Sequence, residues 1–110
     1  MANQEHLDNL KRGVQVWNEW RKEYPDIRPD LSTADLGEID LREANLSGVE
    51  FNGAYLKGAN LSGARLNEAY LMGANMRGAN FREANLSGVN ISRWSPHVPF
   101  LVSNSELTCS

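Results

Sequence analysis

The chain has 110 residues, room for one domain, and its 11 basic and 14 acidic side chains leave a net charge of −3. That balance excludes the basic footprint of a nucleic-acid binder and the polybasic signal of a membrane-surface protein. No stretch reaches the ~18 apolar residues of a membrane span, and charges throughout residues 1–30 leave no secretory apolar core. The single cysteine, Cys109, can form neither an internal disulfide nor a metal cluster. A soluble cytoplasmic protein, with no nucleic-acid or membrane partner, is expected.

Residues 1–30 read as an N-terminal capping helix and linker. Leu7, Leu10, Val14, Trp17 and Tyr24 fall at helical spacing along one face, which Val16 and Trp20 widen. Pro25 stops the helix, and Pro29 keeps the link extended. The role expected is a lid with its aromatic face laid over whatever follows. A partner-binding helix that presents Trp20 is the alternative.

Residues 31–93 form the repeat region. From Leu36 to Ile91 a large apolar residue returns every fifth position, as in Leu36, Leu41, Leu46, Phe51 and Leu56, with a small one two places before each. There are twelve copies without a slip over residues 34–93, and such regularity outranks other local signals. A helix cannot hold these centres on one stripe, because five residues advance about 140° past a full turn. A straight strand fails too, since five is odd and successive centres would face opposite ways. Within a unit, however, small residue and centre are two apart, so both can point inward. A short extended piece followed by a corner, repeated, winds a coil lined by the centres. Glycine stands two places after the centre in most units, as at Gly53 and Gly63, where a tight corner needs its freedom.

The unit Ala-(Asp/Asn)-Leu-X-X, seen in "ADLGE", "ANLSG" and "ANFRE", resembles the pentapeptide-repeat family. The resemblance implies an all-β fold: a right-handed quadrilateral parallel β-helix with four units per coil, hence about three coils here. "RPDLS", centred on Leu31, reads as a degenerate thirteenth unit. The N-terminal segment is similar to the leader that precedes the repeats in many small cyanobacterial members.

Residues 94–110 read as a C-terminal cap and tail. Trp94 falls where a small residue is due and Pro96 where a centre is due, and each blocks another coil. "VPFLV", residues 98–102, either covers the last coil or pairs with a second molecule. A monomer, or a weak homodimer through an end cap, is expected.

No catalytic, cofactor or metal site emerges, and no enzyme is expected. His6 and His97 belong to opposite ends of the proposed fold. "GANLSGAR" lacks the Lys-Ser/Thr of a phosphate loop, and the "NLS" and "NIS" triplets are by-products of the period. The carboxylates Asp35, Glu38, Asp40 and Glu43, with Arg42 among them, read as a solvated face.

Some members of the family imitate DNA to inhibit or protect gyrase, and those are long, strongly acidic rods. The outward positions here carry seven acids and six bases, so a DNA-mimicking gyrase modulator is a secondary reading, beside a purely structural spacer. The unusual feature is Tyr55, Tyr70 and Met72, on outward positions where Asn, Ser or a charge is the rule. Tyr and Met are enriched at interface cores. These three residues are the candidate protein-binding site of a small binding or adaptor module, whose partner is an unidentified protein.

Overall fold

The computed structural model describes residues 2–90. Two helices come first, α1 at Gln4–Lys11 and α2 at Val14–Glu23. The single helix predicted from the spacing is therefore corrected to a pair. The break is Gly13, whose φ of 114° lies outside the helical well. Hydrophobic periodicity cannot register that break, because a glycine within a helical pattern costs only about 1 kcal/mol and is compatible with either outcome. Asn3 caps α1, its side-chain oxygen accepting from the amides of Glu5 and His6. The bend lets each helix bury one apolar residue against the coils, Leu10 from α1 and Trp17 from α2, which also buries Arg21. Val16 and Tyr24, expected on the covered face, are exposed.

From Asp30 the chain winds into coils. Parallel bridges join Asp30 to Glu50, Asp35 to Tyr55, Asp40 to Asn60 and Asn45 to Arg65, and continue upward to Tyr70 and Asn90. Every bridge spans twenty residues, so four pentapeptides close each coil. The first coil runs over 30–49, the middle over 50–69 and the third over 70–89. The "RPDLS" unit belongs to the first, with Asp30 bridged to Glu50 and Leu31 fully buried. Each side meets its neighbour through the residue before the centre. On one such side the Tyr55 amide donates to the Ala34 carbonyl at 2.9 Å, and the Leu36 amide donates to the Tyr55 carbonyl at 2.7 Å.

At every corner the carbonyl of the centre accepts from the amide three residues on, as Phe51 does from Ala54 at 2.9 Å. The third residue of that turn takes a positive φ, 68° at Gly53, as type II geometry requires. Thr33, Glu38, Glu43, Glu68 and Glu83 hold the same position with φ between 59° and 64°. The side chains of Thr33, Glu38, Glu43 and Glu68 rise against the corner of the coil above. A Cβ built on Gly58 would lie 3.1 Å from Glu38 Cγ, and one on Gly63 would lie 3.2 Å from Glu43 Cγ. The corner columns Glu38–Gly58–Gly78, Glu43–Gly63–Glu83 and Gly48–Glu68–Gly88 accordingly never stack two side chains in succession.

The centres and small residues form one core, continuous with Leu10 and Trp17 of the helices. Ile39, an outsized residue at a small position, is only partly buried. The expectations for Ile91, Trp94, Pro96, His97, the 98–102 segment and Cys109 fall outside the described residues.

Candidate binding surfaces

The outward residue of each unit does more than face solvent. The side-chain oxygens of Asp35, Asp40, Asn60, Asn75, Asn80 and Asn85 each accept from the amide two residues on, at 3.0–3.3 Å. Asp30 and Asn45 do the same toward Ser32 and Ser47. These are Asx turns, which lead the chain into its corner. The signal was available in the sequence as Asn or Asp recurring one place before the centre.

The middle coil departs from this rule. Glu50, Tyr55 and Arg65 occupy its turn positions, and Tyr70 opens the next coil in the same way. At Tyr70 a substitute exists: the Met72 amide donates to Asn52 Oδ1 in the coil below, at 3.1 Å.

Tyr55 is 40% exposed. Its ring covers Gly37, where an added Cβ would meet the ring at 3.0 Å. Tyr70 and Met72 are half-buried. The Arg28 guanidinium lies 5.1 Å from the centre of the Tyr70 ring. A shallow cavity of about 310 Å³ beside it is lined by Arg28, Gly48, Glu68, Tyr70, Gly88 and Asn90. The bridges put Tyr55 and Tyr70 on adjacent sides, with Met72 at the corner that joins those sides. The contacts of the two rings lie on different residues, Gly37 and Arg28. Arg28 escaped the sequence reading because nothing local marks a linker arginine as the neighbour of a tyrosine two coils away.

The helices close part of the lower edge. Trp17 Nε1 donates to the Asn45 carbonyl at 2.8 Å, and Arg21 donates to the carbonyls of Asn45 and Ser47 at 3.3 and 2.8 Å. The Asn18 side chain accepts from the Asn45 amide at 2.7 Å and donates to the Glu43 carbonyl at 3.2 Å. On the next side the Asp30 amide donates to His6 Nδ1 at 3.0 Å, and the Asn3 amide donates to the Asp30 carbonyl at 2.9 Å. Burial lowers the pKa of the Arg21 guanidinium, with Arg65 adding to the effect, and Arg21 Nε has no hydrogen-bond partner. Trp20 packs among His6, Trp17 and Tyr24 with ring centres 5.1, 5.2 and 6.4 Å away. It is half-buried.

In the carboxylate cluster, Arg42 pairs with Asp40 at 2.8 Å while both stay about 60% exposed. The hydrogen bond from the Arg42 side chain, followed by that from its amide, holds the Asp40 carboxyl down at about 2. Asp30 is lowered chiefly by the Ser32 hydroxyl. Among the described residues no group of three or more His, Cys, Asp or Glu could hold a metal ion, and no helix is long and apolar enough to cross a membrane.

Parallel bridges at a constant twenty-residue interval, a continuous apolar interior and turn-forming outward residues define a β-helical repeat protein. The sequence model for pentapeptide repeats matches eight copies over residues 30–63 and 54–93, and the chain belongs to that family. Among solved structures it is similar to alr5209, a pentapeptide repeat protein from Nostoc Pcc 7120. The two are 31% identical over 59% of this chain and 66% of that one, just under two thirds of its length, with a TM-score of 0.20. A comparison with curated proteins gives no match.

Proposed function

We propose that the chain is a non-catalytic protein-binding or adaptor module that works through the outer sides of its β-helix. One observation carries the reading: at Tyr55 the middle coil forgoes a turn-stabilising Asn or Asp for a ring that is 40% exposed. Turn stability would select the amide or carboxylate, whereas a large amphipathic ring is contact chemistry. Met72 and Tyr70 extend the surface around the corner, and Arg28 adds a cation at its far end. The near-balanced charge of the outer positions gives no support to imitation of DNA.

The same reading takes the β-helix as right-handed and quadrilateral. It divides the chain into a helical cap over 1–30, coils over 31–93 and a tail over 94–110. It places the protein in the cytoplasm, without cofactor, as a monomer or weak homodimer. The test is a pull-down from the soluble lysate of the source organism, with a folded Tyr55→Ser/Tyr70→Ser variant as control. A partner held by the parent and lost by the variant supports the surface. A variant that keeps every partner removes it.

A further inference from the structure

A stack of parallel coils ends in main-chain groups that no further coil can pair. The N-terminal helices satisfy them on two sides of the first coil, at Asn45 and at Asp30. Among the described residues the other two sides are left open. In the middle coil the downward groups of the equivalent residues are all used: the Tyr55 amide and carbonyl bond to Ala34 and Leu36, and those of Asn60 bond to Ile39 and Leu41. The corner carbonyls of Lys57 and Ser62 accept from Glu38 and Glu43. The counterparts one coil lower are the amides and carbonyls of Asp35 and Asp40 and the carbonyls of Gly37 and Arg42. None of these has a main-chain partner among the described residues.

There is also room beside this edge. The start of α2 stands off from the coil and leaves a crevice of about 480 Å³, lined by Gly13, Val14, Asp40, Arg42 and Glu43.

We propose that this open half-edge, residues 35–42, docks a basic segment of a partner protein that is extended along each side and bends at the Gly37–Glu38 corner, adding to the first coil as half of a further rung. Main-chain pairing supplies the attraction, as in other cases of strand addition. Charge selects the occupant. The edge carries Asp35 and Asp40, with Glu38 and Glu43 close by although their side chains rise against Gly58 and Gly63, set against Arg42, whose guanidinium is already engaged by Asp40 at 2.8 Å. Such an edge attracts lysine or arginine and repels a second copy of itself, which excludes a head-to-head dimer at this end. The site is separate from Tyr70 and meets the Tyr55 ring only at Gly37.

The experiment uses the full ¹⁵N-labelled chain and an acetylated, amidated octapeptide of lysine and valine with a central Asn-Gly to turn the corner. Saturable binding is expected, with shifts confined to residues 35–42 and slowed exchange of the Asp35 and Asp40 amides. A peptide N-methylated at alternate residues, or one with glutamate in place of lysine, should bind about tenfold more weakly. Glu38→Gln/Glu43→Gln should weaken binding at low salt, and Tyr70→Ser should leave it unchanged. The proposal is overturned by no binding at millimolar peptide, by equal binding of the N-methylated peptide, or by Asp35 and Asp40 amides that exchange as in the free protein.

Discussion

The first and middle coils follow one backbone path with different outward residues. In the first, Asp30, Asp35, Asp40 and Asn45 each fold back on the amide two residues on. In the middle, Asn60 alone among Glu50, Tyr55, Asn60 and Arg65 does so. The first coil has a coil on one side of it only, and among the described residues the main chain of two of its own sides has no partner below. The middle coil is bonded above and below on all four sides. Local turn bonds and stacking therefore serve the same end. A coil held from both directions can release its outward positions for other chemistry, whereas an end coil must hold its own corners.

The comparison breaks most decisively at its centre. Leu61 is fully buried in the middle coil. Leu61→Asp should abolish the cooperative thermal transition followed by circular dichroism. A buried carboxyl without a partner costs on the order of 5 kcal/mol, which approaches the whole stability of a small domain. A transition like the parent's would show that neighbouring coils do not stabilise the middle one as argued.

Next is the support beneath the first coil. Trp17→Ala should cost about 3–5 kcal/mol and speed exchange of the Asn45 amide ahead of the Asn60 amide, measured by native-state hydrogen exchange. Equal acceleration of both would mean that the coils respond as one unit.

A finer test compares like with like. Asp35→Ala should cost about 1 kcal/mol and Asn60→Ala about half as much, by denaturant titration. Equal costs would remove the idea that stacking substitutes for the turn.

The smallest effect is in pH. Asp40 titrates at about 2 in the folded chain, below the ~3.9 of an unperturbed aspartate. Its contribution to stability is therefore complete above pH ~4 and is lost as pH falls through about 2. Asp40→Asn keeps an acceptor for the turn and should flatten that part of the acid limb. Carboxyl chemical shifts of the parent would locate the midpoint directly.

Much of the fold was legible in the residues. Odd period, strand parity within the unit and corner glycines exclude helix and straight strand, and the centres from Leu36 to Leu86 are buried as expected. The number of sides was not, because a five-residue period closes equally well on different polygons. Only the Asp30–Glu50 type of bridge fixes four. The break at Gly13 was hidden, since periodicity runs through it unchanged. Of the candidate surface, the sequence pointed to Tyr55, Tyr70 and Met72. It gave no sign of Arg28 over Tyr70, or of helices that serve two sides of an edge and leave two open, because both depend on how a distant segment docks.

The alternation at the corners limits how such a chain can lengthen. Duplicating residues 30–49 in place would set Glu38 directly on Glu38 and Glu43 on Glu43. Even a bare Cβ there approaches the glutamate below to 3.1–3.2 Å. Copying a single coil, the simplest genetic route to a longer rod, thus yields a misfit at every corner of that coil that carries a side chain. Copying two coils together preserves the Glu43–Gly63–Glu83 order. The heritable unit of growth is then neither the pentapeptide nor the turn of the coil, but a pair of turns with complementary corners.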